Sequence, residues 1–232
     1  MSVDPTTSSA IDDDTTPLSR IVSPSSLPDL SILPLPLPAS ALPVGQLVSK
    51  HSQYNPTTLS DRDYDDAGTR WYKDVVLLSR NGEFIKSLGG VLYIPKPSEG
   101  TEVGTIEARE MIVRMLKDPE AALRKVLSDE GARRWIEEQE DGAEIGFVTA
   151  VREVVNPSYR HATLVDRGAG NWEVVRAVGG QGQGGQKRRG SGLDVDTGSK
   201  MDAVGVIVKE LVVGESVRLG EEELGTGFWV EG

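Results

Sequence analysis

Apolar positions are spread unevenly along the chain, and their spacing changes character three times. Residues 1–40 are rich in Ser, Thr, Pro and Asp, with "DDD" at 12–14 and "LPLPLP" at 33–38. Proline at every second position removes amide donors and fixes φ, so this part reads as a disordered tail or an extended docking segment. From Leu42 the pattern turns strand-like. "LPVGQLVS" is a short strand, and "WYKDVVLLS" with "GEFIKSLGGVLYIP" predicts a strand pair joined at Arg80-Asn81-Gly82, because Asn-Gly favours a tight hairpin turn.

Helical spacing follows. Thr105 is placed to cap "IEAREMIVRMLK", where Ala108, Met111, Ile112, Met115 and Leu116 recur at helical intervals. Asp118-Pro119 predicts a cap and first turn for "EAALRKVL", and Asp129 opens "EGARRWIEEQE", which stops at Gly142. Strand signals return with "IGFVTAV" at 145–151, apolar or small on both faces and so covered on both sides. "YRHATLV", "WEVVRAV" and "AVGVIVKELVV" complete the set. Strands, then helices, then strands, without βαβ alternation, predict an α+β fold: a mostly antiparallel or mixed sheet with helices packed on one side. The domain limits expected are 1–40 for the tail, 41–213 for the folded domain and 214–232 for a short C-terminal tail.

Charge and chemistry narrow the functional classes. The 232 residues carry a net charge of −11 and no cysteine, which argues against a general nucleic-acid binder, thiol chemistry and thiolate metal sites. No run of 18 apolar residues and no charged-apolar-small leader is present, so the chain reads as cytoplasmic, with amphipathic membrane strands left open. "GQGQGG" at 180–185 matches a dinucleotide expression, but no helix pattern follows to hold a pyrophosphate. "DRDYDD" at 61–66 lacks the glycine and distal glutamate of a calcium loop. His51 and His161 stand apart, and no G-x-S-x-G elbow occurs. No catalytic group set, metal site or cofactor is named, and the chain is not read as an enzyme.

One segment runs against the acidic background. Residues 158–201 hold seven basic and four acidic side chains, with Lys187, Arg188 and Arg189 consecutive in a Gly-rich stretch. Near an anionic leaflet each such cation contributes roughly 1 kcal/mol. The flanking runs alternate at strand period, with Tyr159, His161, Thr163 and Val165 on one side of the first.

In this order of elements, "EIGFVTAVREVVNPSYRHATLV", the basic Gly-rich loop and "DAVGVIVKELVV" follow paired helices. The order resembles the pore-forming domain of gasdermins, nearest to the short fungal gasdermin-like regulators of cell death. "FVTAV" at 147–151 resembles the family's aromatic-Val-Thr-x-Val strand. Leu42, Val44, Leu47, Tyr54 and Pro56 stand in the order of its early "L-x-P-V-x-x-L…Y-x-P" stretch. The resemblance covers roughly residues 40–213. It implies a cytoplasmic protein that binds acidic phospholipids of the inner leaflet, oligomerises with itself or a variant of itself, and refolds two hairpins into a transmembrane β-barrel at the plasma membrane. The first hairpin would fall within 71–95 and the second within 158–201, with Lys187, Arg188, Arg189, Arg176 and Lys200 as lipid contacts. Control would come from a short inhibitory tail anchored by Phe228 and Trp229 and removed by a protease, or from a mismatched partner variant. The alternative is a non-lytic cytosolic interaction domain that uses its Pro-rich tail.

Overall fold

The computed structural model describes residues 29–89, 93–95, 102–140, 142–166, 168, 171–176, 193, 195, 197–214, 216–225 and 228. Among these, twelve strands join one sheet, and every ladder in it is antiparallel. The strands are β1 (Ser31–Pro38), β2 (Leu47–Ser49), β3 (Gln53–Tyr54), β4 (Tyr64–Leu78), β5 (Phe84–Ser87), β6 (Tyr93–Pro95) and β7 (Glu102–Leu116). After two helices, α1 (Pro119–Val126) and α2 (Glu130–Glu137), come β8 (Ile145–Val155), β9 (Ser158–Asp166), β10 (Asn171–Arg176), β11 (Met201–Val212) and β12 (Arg218–Glu223). The main path runs β1-β11-β8-β7-β9-β10-β6, and β4 pairs the free edge of β7 along its whole length. β1 returns against β5, so the sheet curls into a nearly closed barrel.

The α+β expectation is therefore overturned: the fold is mostly β, and the two α-helices among the described residues are eight residues each. The largest single correction is residues 106–117, expected as a helix behind a Thr105 cap and found, up to Leu116, in β7. Ile106 and Ala108 enter the barrel core from one half of the strand, Met111 and Val113 from the other. The inward face thus shifts by one residue at Arg109-Glu110. Two period-2 runs offset in this way place apolar residues three and four apart, which mimics a helical face.

The same shift crosses the neighbouring strands. β8 and β9 lie end to end along β7, joined at Asn156-Pro157, with Glu110 opposite Val155 and Glu107 opposite Ser158. Ala150 and Val154 point into the core before that joint and Tyr159 after it. On the other side of β7 the change falls at Trp71. Trp71 and Asn156 both hold left-handed backbone, at φ 58° and 49°. Asn tolerates this conformation, whereas for a bulky residue it costs of order 1–3 kcal/mol. The sheet therefore folds over along one line, Trp71–Arg109–Asn156.

Both helix starts follow their caps. The Asp118 carboxylate accepts from the Ala121 amide at 2.9 Å ahead of Pro119, and Asp129 accepts from Gly131 at 3.0 Å. The helices bury Leu123, Val126 and Ile136 against Leu116, Ile145, Phe147 and Leu211, closing one end of the barrel. Each such side chain contributes about 1.5–3 kcal/mol by leaving water. Leu193 covers the other end: it packs in the barrel core and approaches Gly104 at the start of β7.

Both proposed tails contribute strands. Residues 31–38 are β1, an edge strand on β11 whose ladder is interrupted between Ile32 and Leu37, where Pro34 and Pro36 have no N–H to donate. Residues 218–223 are β12 on the same edge of β11, and Leu224 and Phe228 beyond it are buried.

Candidate functional site

The residues expected to touch lipid are only partly placed. Lys187, Arg188, Arg189 and Trp229 lie outside the described residues. Arg176 ends β10, and Lys200 is exposed immediately before β11. The stretch 158–201 supplies β9 and β10, paired antiparallel from Ala162–Arg176 to Asp166–Trp172, so a hairpin does occupy its first part. Within 71–95 the Asn81-Gly82 turn joins β4 to β5, with Gly82 at φ 84°, but the pairing there spans only Val76–Leu78. Phe228 is buried with Leu224 against Leu33, Val48, Val148 and Val208, over the face of β8 and β11 that looks away from the barrel core.

Three polar clusters, each with a buried carboxylate (Glu153, Asp74 or Asp202), hold the sheet. On the outer face of β4 and β7, Arg114 grips Asp66 with two parallel bonds, Nε to Oδ1 and Nη2 to Oδ2, each 2.9 Å. Its guanidinium also lies 4.9 Å from the Tyr64 ring centre. Glu153, 4 % exposed on β8, faces this pair and is pushed up by burial, with Arg114 opposing and Asp66 adding to the shift. Its Oε2 has no hydrogen-bond partner. Inside the barrel, Asp74 accepts from Tyr72 Oη at 2.8 Å and from Ser87 Oγ at 2.7 Å. Asp202 accepts from Tyr159 Oη at 2.8 Å and from Thr197 Oγ1. Burial first, then the adjoining carboxylate, pushes both phenols far above the ordinary 10. They stay protonated and donate to the two carboxylates.

A cleft of about 680 Å³ opens between the β2–β3 turn and the end of α2, lined by Lys50, His51, Trp135, Glu138, Glu140 and Glu144. Among the described residues no hydrogen bond ties His51 to a hydroxyl or carboxylate. No group of three His, Cys, Asp or Glu among them is gathered for a metal ion. No helix among them is long and apolar enough to cross a bilayer, which leaves β-strands untouched as spanning elements.

Sequence patterning missed Trp71 as a surface residue. It is 82 % exposed, the largest apolar side chain so placed among the described residues. Its signal is visible in hindsight: a lone Trp in the polar run "TRWYK", with cations on either side.

Comparison with protein-family models, with characterised proteins and with solved structures returned no match.

Proposed function

We propose that this chain is a gasdermin-like pore-forming protein. It binds acidic phospholipids, assembles with copies or a variant of itself, and permeabilises the plasma membrane in regulated cell death of the fungal allorecognition type. One observation carries the reading: β4 and β7 pair antiparallel across fifteen residues each, and β8 with β9 extends the same ribbon on the far edge of β7. A tilted membrane strand needs about 9–11 residues. Strands of this length satisfy their backbone groups between themselves, which is the condition for entering a bilayer without an apolar helix. Beyond its short ladder with β5, the outer edge of β4 pairs with no strand among the described residues, so a neighbouring copy has an edge to extend.

Control falls to the C-terminal segment. Phe228 and Leu224 cover an apolar face of β8 and β11, and removal of this strap by a protease, or its displacement by a partner variant, would bare that face. The alternative, a non-lytic module that offers its Leu-Pro run to a partner, fits less well, because Ile32, Leu33 and Pro36 are buried in β1.

Vesicle leakage tests the proposal. Purified protein, whole and with either terminal segment trimmed, is expected to release dye from vesicles containing phosphatidylserine or cardiolipin and to spare phosphatidylcholine vesicles. No release in any form, at micromolar protein and low salt, contradicts it.

A further inference from the structure

Along the line where the sheet folds over, the ladders place four exposed residues in one row. Between the pairs Arg70–Glu110 and Tyr72–Ala108, Trp71 stands opposite Arg109. Arg109 in turn stands beside Asn156 at the β8–β9 joint. The Asn156 amide donates to the Lys200 carbonyl at 2.7 Å, which brings the start of β11 into the same row. Trp71, Arg109, Asn156 and Lys200 are all exposed, as is Arg70 beside the tryptophan. At the usual strand spacing the row spans roughly 15 Å.

Its chemistry differs from that of the rest of the chain. Among the described residues no ion pair engages Arg70, Arg109 or Lys200, whereas Lys73 nearby is matched by Glu107 at 3.9 Å. Glu110 stands opposite Arg70, in a protein of net charge −11. Trp71 gives the core nothing and holds left-handed backbone. A strained, solvent-facing aromatic among unpaired cations indicates a surface kept for a partner rather than for packing. Indole favours the boundary between headgroups and acyl chains, and arginine and lysine favour an anionic leaflet.

We infer that this crest is the landing surface of the folded monomer on an anionic bilayer. Trp71 enters the interface while Arg70, Arg109 and Lys200 meet lipid phosphates and carboxylates. The inference rests on the membrane reading above and adds Trp71, Arg70 and Arg109 to the lipid contacts expected there, of which Lys200 is one. It precedes any strand insertion, because the row is exposed in the closed fold.

Flotation of the full chain with phosphatidylcholine vesicles, with and without phosphatidylserine, tests it alongside tryptophan quenching by brominated lipid. Trp71→Asn suits the backbone there and is expected to melt at or above the wild-type temperature. Its partitioning onto phosphatidylserine vesicles should fall at least ten-fold. Arg109→Gln with Lys200→Gln should weaken partitioning about twenty-five-fold, at roughly five-fold per charge, and flatten its salt dependence. Trp71→Phe should still float but lose most of the quenching. Trp71→Asn that partitions like wild type overturns the crest while leaving the membrane reading intact. Wild type that binds no vesicle overturns both. A soluble dimer in sedimentation that Trp71→Asn dissolves also overturns the crest, since it makes the row a protein contact.

Discussion

Arg114→Met is expected to destabilise the fold by about 3 kcal/mol in chemical denaturation, with the barrel end bearing α1 and α2 loosened first. Removing one member of a buried ion pair costs about 3–5 kcal/mol, chiefly because the partner's charge is stranded. Arg114 and Asp66 are each about a third exposed, at 32 % and 30 %, which sets the expectation at the low end. Two carboxylates lose their cation at once, since Glu153 faces the pair as well. Methionine keeps the aliphatic stem, so the loss reads the charge and not the packing. Adding Asp66→Asn and Glu153→Gln should recover part of the loss. A cost below about 1 kcal/mol would place the cluster with ordinary surface pairs.

The sign of the pH dependence follows from Glu153. Burial holds its folded-state pKa above the ordinary 4.5. Below the ordinary value the residue is protonated folded or unfolded, and its contribution is flat. As pH rises from there through the raised value, the folded chain holds a proton the unfolded chain has released, and stability falls. Glu153→Gln removes that fall, so the variant should gain on wild type between those two values and equal it in more acid solution. Asp63 has the opposite sign: the Lys125 ammonium, its leading partner at 2.6 Å, holds it at about 2, so its contribution is lost as pH drops from 3.8.

Gly146→Val should be the second large loss, roughly 2–3 kcal/mol, the upper part of the usual cost of overpacking. Even a lone Cβ at this position in β8 would stand 2.3 Å from Val208 Cγ1, 2.9 Å from Leu224 Cδ1 and 3.1 Å from Val48 Cγ2. The strand is buried on both faces, so the clash cannot be relieved toward solvent. Leu224 yields most readily, because it lies past the end of β12. The variant is therefore expected to release the C-terminal strap, read as faster proteolysis after Glu223. Wild-type stability together with wild-type proteolysis would show that β8 and the strap do not interlock there.

Local signals in the chain were read well where the chemistry is local. Asp118-Pro119 and Asp129 cap the helices they announce, and Asn81-Gly82 makes its turn. The double-covered run at 145–151 lies in the buried strand β8. What failed was collective. Nothing in residues 105–116 alone says that Arg109 marks a fold line, because that line exists only once β4, β7 and β8–β9 lie side by side. The Leu-Pro run reads as a tail or as a docking segment until the edge of β11 is there to receive it. Charge counting singles out Lys200, whereas nothing in the local pattern singles out Trp71. An isolated tryptophan in a strand usually packs inward, and its exposure here comes from the backbone reversal at the fold line.

The claim that these strands enter a bilayer is tested most directly by position. The chain has no cysteine, so a single introduced one carries a polarity-sensitive fluorophore at each successive residue from 158 to 166 along β9. With anionic vesicles, the account predicts alternation: probes at 159, 161, 163 and 165 report one environment, lipid or water, and probes at 160, 162 and 164 the other. Uniformly aqueous probes on protein that has bound and permeabilised the vesicles would contradict it.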